Sequence, residues 1–475
     1  MAVECHLGYI ARKVADAFAT LQWLGLSGNG VALLRKVTHP ARLVPLVFLM
    51  AIAAGTLLLM LPIAREGPGH APFLTALFTS TSAVCVTGLI VEDTPLYWSG
   101  FGQGVILALF QLGGFGIMAT ATLLGLMVGR GFRLSDKLRT QVERSHFDFS
   151  NSRHVLRLIL TVTVVVEVLL TSVLTLQLHF FYGLDWSAAF WHGMFQAVSA
   201  FNNAGFSTFS DSLMGFQNDW LFLLPIMLAI VISSLGFPVI HEILNRSGRA
   251  SPWTLHTKIT VAGTGILLVA GLLAVLMAEW DNPKTLGAMG LSGKLLNSAF
   301  QSVTTRTTGF NALDVGAFRE ETLAFTYLLM FIGGGSAGTA GGIKVTTFFL
   351  LGIVVWSEAR GQRDANLFGR RIGTSIERQA LTIALISIAL IGIGTMILLS
   401  VTEHALSAVL FEVVSAFATV GLSTGITNQL PPSGELVLIV LMFVGRVGTI
   451  TIATALAMGS SHSALRYPEE RPIVG

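Results

Sequence analysis

The sequence predicts an all-α polytopic membrane protein in which four helix/pore-loop/helix repeats stand in pseudo-fourfold arrangement around one axis. Three observations predict it. The 475-residue chain is 53% hydrophobic and only 12% charged, with a mean hydropathy of +0.72, whereas soluble domains carry about 25% charged residues. Its long apolar stretches alternate with shorter ones, such as residues 71–82, that fall well below the roughly 20 residues a helix needs to cross a bilayer. Each shorter stretch runs into a turn, and the turns align with one another around a single glycine.

Taken in order, residues 1–40 carry scattered charges (Glu4, Arg12, Lys13, Asp16, Arg35, Lys36) and no unbroken apolar core, which argues against a cleavable signal peptide. Ile10, Val14, Phe18 and Leu21 fall at helical spacing, as in an amphipathic helix lying on the inner membrane surface. The first repeat, 41–130, holds a spanning helix over 43–64, a short helix over 71–82, a turn through Gly88 and a second span from 103 to about 128. The same plan recurs over 154–246 (155–180, 186–210, 220–244), over 256–358 (259–278, 291–314, 322–356) and over 376–460 (376–401, 405–427, 436–457), leaving 461–475 as a short tail. Arg and Lys concentrate between repeats, at Arg130, Arg133, Lys137, Arg139, Arg144 and Arg153, at Arg246, Arg249 and Lys258, and at Arg360, Arg363, Arg370 and Arg371. None occurs over 181–219 or 402–435. The positive-inside rule therefore places the inter-repeat loops in the cytoplasm and the turns on the outer side. Eight spans then leave both termini cytoplasmic, and all four repeats point the same way, unlike the inverted repeats of many secondary transporters.

The turns carry the chemistry. Phe78 precedes Gly88, Phe195 precedes Gly205 and Phe411 precedes Gly421 by ten residues, while Phe300 precedes Gly309 by nine. A hydroxyl side chain sits at nearly the same offset in each (Ser82, Ser199, Thr304, Ser415) and a bulky apolar residue follows each glycine (Leu89, Phe206, Phe310, Leu422). Close packing of small residues accounts for Gly113, Gly114 and Gly116, but it does not produce one phase repeated between four pairs of spans. In the first turn Val84, Val86 and Thr87 favour extended backbone, with a positive φ available at Gly88. Brought together, four short helices would aim their negative C-terminal ends at a cation, and the carbonyls beyond them would replace its water shell. The candidate ion-binding residues are therefore Val86, Thr87 and Gly88; Asn203, Ala204 and Gly205; Thr307, Thr308 and Gly309; and Thr419, Val420 and Gly421. Glu92, Asp93, Asp211 and Asp314 would concentrate cations at the outer mouth, although acids are also ordinary in loops. Arg306 must point away from such a pathway.

The segments SAVCVTGL, SAFNNAGFS, TTRTTGF and FATVGLST, in this order and each between two spans, resemble the four selectivity-filter segments of the Trk/Ktr/HKT superfamily of potassium transporters. The resemblance covers nearly the whole chain and is greatest to the membrane subunit of the bacterial Ktr system, because the extra N-terminal spanning pair of Trk subunits is lacking. It implies K⁺ uptake across the plasma membrane through a four-glycine filter, in some relatives with Na⁺ assistance. Relatives with a serine in the first turn tend towards Na⁺, so Gly88 favours K⁺. The resemblance also implies a homodimer, controlled by a separate cytosolic ring that binds ATP or ADP. The basic loops around 130–153 and 360–371 offer such a partner a docking surface, or serve topology alone.

Two further features fit that family. The second span of the third repeat is interrupted by Gly333, Gly334, Gly335, Ser336, Ala337, Gly338, Thr339, Ala340, Gly341 and Gly342, followed by Lys344. Glycine costs about 1 kcal/mol relative to alanine inside a helix, and irregular backbone at membrane depth belongs where it lines a cavity. In the family the corresponding loop is a movable gate below the filter. The GxGxxG spacing of Gly333, Gly335 and Gly338 has no strand before it, so a dinucleotide site is rejected. Arg446 lies about eleven residues, roughly 16 Å, inside the last span; the resemblance puts it beside the gate as a positive barrier, the alternative being an arginine that bonds helix-end carbonyls elsewhere. Glu167, the other intramembrane charge, suggests only a stabilising pair.

An enzyme is not expected: His241 and Glu242 lack the second histidine of HExxH, and no GxSxG turn occurs. Two cysteines are too few for a metal cluster. Neither an organic cofactor nor a nucleic-acid partner is expected, and membrane lipid surrounds the chain. The alternatives left open are a sodium-selective or poorly selective cation transporter and a secondary transporter for an organic solute, which would need inverted repeats and a wide cavity.

Overall fold

A computed structural model describes residues 40–130, 152–246, 253–362 and 364–448. The expected surface helix of residues 1–39, the basic loop 131–151, the residues of the fourth repeat after Gly448 and the tail 461–475 lie outside the described residues. The chain divides after Val47; of the first unit only the opening turns of one helix are described, and the site lies within the second.

Helices account for nearly all regular structure among the described residues. They are α1 (Pro40–Leu59), α2 (Phe73–Val84), α3 (Gly100–Arg130), α4 (Ser152–Phe180), α5 (Trp186–Asn202), α6 (Trp220–Leu235), α7 (Phe237–Arg246), α8 (Leu255–Ala278), α9 (Leu291–Thr304), α10 (Glu320–Phe331), α11 (Val345–Ala359), α12 (Thr374–Val401), α13 (Leu406–Ala418) and α14 (Pro432–Phe443). A two-residue antiparallel ribbon, β1 (Asn366–Leu367) with β2 (Arg370–Arg371), folds the basic segment after α11. By length and composition, three described helices can cross a membrane: α4 over Arg157–Phe180, α8 and α12. The pair α6 and α7 makes a fourth if counted as one span.

Four short helices, α2, α5, α9 and α13, carry the phase-setting phenylalanines, and Phe78, Phe195, Phe300 and Phe411 are all completely buried. Their seating on the preceding long helix has a sequence cause. Ser80 Oγ donates to the Ile52 carbonyl at 2.8 Å, beside Gly55, where a Cβ would strike that same hydroxyl. In the third repeat Ser302 Oγ donates to the Leu268 carbonyl at 2.7 Å, beside Gly271. A small residue on the long helix and a hydroxyl on the short one thus let the two backbones approach closely. Asp185 caps α5 by accepting from the Ser187 and Ala188 N–H groups, and Asp219 caps α6 by accepting from Leu221 and Phe222.

One span expected to be continuous is broken, and another changes its helical winding. The helix expected over 220–244 is broken at Gly236, where α6 and α7 meet at 99°. Pro238 has no N–H for the Ser234 carbonyl, and Gly236 takes φ +88°. The orphaned carbonyls are satisfied by the glycine-rich loop, with Gly335 N–H donating to Ser234 O at 2.7 Å and Thr339 N–H to Ser233 O at 3.4 Å. In the last span α14 stops at Phe443 and the backbone widens into a π-helical turn over Val444–Gly448 that contains Arg446. There a Cβ at Gly445 would collide with the Phe417 carbonyl. The interruption between α10 and α11 falls where the sequence predicts it.

Candidate functional site

The four turn glycines all adopt positive φ: +93° at Gly88, +72° at Gly205, +76° at Gly309 and +94° at Gly421. Each has another turn's backbone in the place a side chain would take. A Cβ on Gly88 would meet the Ala204 carbonyl, one on Gly205 the Thr308 carbonyl, one on Gly309 the Val420 carbonyl, and one on Gly421 the Thr87 carbonyl. The sequence of contacts runs first to second to third to fourth and back to first, so the four turns close a ring. Thr87, Ala204, Thr308 and Val420 are almost completely buried.

Serines brace three of these turns from behind. Ser82 Oγ donates to Leu89 O at 2.7 Å and accepts from Gly88 N–H at 3.1 Å. Ser199 Oγ donates to Phe206 O at 2.8 Å, and Ser415 Oγ accepts from Gly421 N–H at 3.0 Å. The extended conformation predicted at Val86 is not adopted: Val86, Asn203 and Thr419, each two residues before its glycine, are left-handed, with φ of +56°, +61° and +49°. The third turn has no left-handed residue at Thr307. Its Thr308 N–H bonds Thr304 O four residues back, whereas Thr87, Ala204 and Val420 reach five residues back, to Ser82, Ser199 and Ser415. One deleted residue removes one left-handed corner and leaves the glycine in place. Thr304 is consequently out of phase as a brace, and its hydroxyl faces Gln301 O instead.

On one side of the ring lies a cavity of about 380 Å³ lined by all four glycines and by Glu92, Asp93, Asp211 and Asp314. The four acids therefore share one vestibule. Asp314 also caps a local turn, accepting from Gly316 N–H at 3.0 Å. Glu412, a buried acid in α13, shapes the same rim by accepting from Ser423 Oγ (2.7 Å), Thr424 N–H (2.9 Å) and Thr427 Oγ1 (2.7 Å). Sequence reasoning missed it, although an acid inside the apolar run LFEVVSAF is a visible signal.

On the opposite side lies the glycine-rich loop. Gly341 is packed against Thr419 Oγ1 and the Ala418 carbonyl, next to the fourth turn. Arg446 Nη1 donates to Thr339 O at 2.5 Å, Lys344 Nζ to Ala340 O at 2.6 Å, and Arg306 Nη2 to Gly333 O at 3.1 Å. Arg306 thus turns into the loop, and it does not line the vestibule. The structure brings Gly333, Thr339 and Gly341 against the turns, while Lys344 and Arg446 bond the loop carbonyls of Ala340 and Thr339; Gly334, Gly335 and Gly338 press on the α6 break at Ser234, Leu235 and Ser233. Ser336 and Ala337 face Gly236 and Phe237 through their carbonyls. Glu167, for which a stabilising pair is expected, has amides for partners: Gln111 Nε2 and Asn202 Nδ2 both donate to it at 3.2 Å.

A largely helical body with apolar spans, broken helices and re-entrant turns that converge on one ring of carbonyls is a helical membrane transporter fold. The sequence matches the family described as TrkH, cation transport protein, over residues 47–465. It is 37% identical over 437 residues to Ktr system potassium uptake protein B of Bacillus subtilis, covering 92% of this chain and 97% of the relative. It is 34% identical over 448 residues to the potassium/sodium uptake protein NtpJ of Enterococcus hirae, covering 93% and 98%. The crystal structure of the potassium transporter TrkH from Vibrio parahaemolyticus superposes with a TM-score of 0.68 at 17% identity, covering 86% of this chain and 82% of that one. The chain belongs to the TrkH family of cation transport proteins, as the four turns suggested, and that family comprises transporters, not enzymes.

Proposed function

We propose that this chain takes up K⁺ across the plasma membrane, with the ring of Gly88, Gly205, Gly309 and Gly421 as its selectivity filter. The observation that carries the reading is the closed cycle of glycine-to-carbonyl approaches. A ring of backbone oxygens with no side chain between them is what replaces a cation's hydration shell. The C-terminal ends of α2, α5, α9 and α13 add partial negative charge behind it, and the vestibule acids raise the local cation concentration. Thr87, Ala204, Thr308 and Val420 supply the carbonyls, while Val86, Asn203 and Thr419 set the corners and Thr307 stands in the shortened turn. The loop from Gly333 to Gly342 with Lys344 is the gate, held shut by Arg446, whose charge opposes cations below the filter. The elements group as four repeats over 41–130, 154–246, 256–358 and 376–460, with the turns outside and both termini cytoplasmic.

The relatives' names support potassium as the cargo, and the one named for potassium and sodium keeps Na⁺ as the assisting or competing ion. A homodimer under a cytosolic nucleotide-binding partner completes the reading. Growth of a potassium-uptake-deficient bacterium at low K⁺ tests it. Rescue is expected; failure to rescue together with measurable Na⁺ uptake would reverse the ion assignment. Absence of cation flux from liposomes with partner and nucleotide supplied would overturn the function.

A further inference from the structure

Asn203 stands at the left-handed corner of the second turn, a conformation asparagine tolerates better than most residues. Its side chain is buried and has four partners, all hydroxyls. Nδ2 donates to Thr339 Oγ1 at 2.7 Å and to Ser234 Oγ at 3.1 Å, while Oδ1 accepts from Thr308 Oγ1 at 3.1 Å and Ser233 Oγ at 3.4 Å. An amide has two donors and two acceptor positions, and each meets a hydroxyl here, although Ser233 shares its single proton with Ile230 O at 3.1 Å. The partners lie on three separate segments: the glycine-rich loop, the break between α6 and α7, and the third turn. Thr339 is held twice, its hydroxyl by Asn203 and its carbonyl by Arg446. Thr308 is the residue whose carbonyl faces Gly205 across the ring. The equivalent corners do not repeat this: Val86 has no polar side-chain atom, and Thr419 Oγ1 has no hydrogen-bond partner among the described residues.

We propose that Asn203 is a positioning residue that ties the glycine-rich loop to the carbonyl ring, so that loop displacement and filter geometry change together. The reason is the cost of an unsatisfied buried amide. When Thr339 leaves with the loop, Nδ2 loses its shortest bond at a side chain that is otherwise completely buried. The amide must then reorient, and reorientation releases Thr308. The inference rests on the reading of the glycine ring as a cation filter and deepens it, because it names the route by which gate and filter communicate.

The test uses the full chain in proteoliposomes and two isosteric variants, Thr339→Val on the loop and Thr308→Val on the turn, each keeping its backbone carbonyl. Three quantities are read: resting K⁺ flux, the K⁺ concentration for half-maximal flux, and the K⁺ dependence of thermal unfolding in detergent, which requires no transport. Coupling requires cross-effects of about fivefold, the size of one net hydrogen bond. Thr339→Val should shift the K⁺ midpoint as well as raise resting flux, Thr308→Val should raise resting flux as well as shift the midpoint, and the double variant should show less than the product of the two. Asn203→Asp should do both; if it does not fold, the threonine variants carry the test. If each threonine variant moves only its own readout, or the effects multiply, the coupling is refuted. A wild-type chain with neither K⁺ flux nor K⁺-dependent stabilisation would instead remove the filter reading and the coupling with it.

Discussion

Replacing Gly88 by alanine is the most direct perturbation of the ring. Two separable costs follow from the structure. The first is local: at φ +93° an L side chain is strained by about 1–2 kcal/mol. The second is steric and reaches the next repeat, because the new Cβ would overlap the Ala204 carbonyl and sit 3.1 Å from Gly205 Cα. The carbonyl must retreat by about 1 Å to restore ordinary contact. A contact with a full charge nets about 1.5–3 kcal/mol, which at about 1.4 kcal/mol per decade is a tenfold to hundredfold change in affinity. Gly88→Ala is therefore expected to fold with modestly lowered stability and to need about ten to a hundred times more K⁺ for half-maximal uptake, with the K⁺ preference over Na⁺ reduced. The assay is concentration-dependent uptake into proteoliposomes, with size-exclusion and thermal unfolding as controls. A folded Gly88→Ala variant with unchanged K⁺ affinity and unchanged preference would refute the assignment of this ring as the ion site.

Ser82→Ala removes both bonds that brace the first turn; a stability loss of about 1–3 kcal/mol and a raised K⁺ midpoint are expected, measured by thermal unfolding and uptake on one preparation. Arg446→Ala removes the cation that holds Thr339 O and should raise resting flux, and an unchanged rate in a folded protein would make Arg446 structural only. Glu279, at the end of α8, titrates predictably. Burial pushes its carboxyl up, but donation by Thr322, Thr285, the Arg319 N–H and Asn282 outweighs burial and holds it below the ordinary value. A depressed folded pKa contributes stability that is complete above the unfolded value of about 4.3 and is lost as pH falls through the folded one. Unfolding temperature should therefore drop on acidification below about pH 4.3, and Glu279→Gln should lower it at neutral pH while flattening that acid-side fall.

Much of this molecule was legible in the chain because its signals are local and periodic. Apolar length marked the long helices, the phase from phenylalanine to glycine, ten residues in three copies and nine at Gly309, marked the four turns, and six glycines within residues 333–342 marked the interrupted span. The family resemblance rested on the same residues. The GFP triplet at 236–238 also carried a break signal, a glycine two residues before a proline, yet the apolar run around it read as one helix. Arg446 was placed at depth by counting, but the π-helical turn around it is set by the approach of Gly445 to Phe417 from another helix.

What the sequence by itself determined is the set of backbone positions that must do without a side chain, since the requirement for glycine is written at each position separately. Tertiary structure alone decided what fills the vacated space. That each glycine faces the carbonyl of the next turn, and that the Asn203 amide bonds three separate segments, depends on contacts between residues far apart in the chain, 136 positions for Asn203 and Thr339. No local periodicity encodes such partners, because a buried amide is satisfied by whichever hydroxyls the packed helices bring to it.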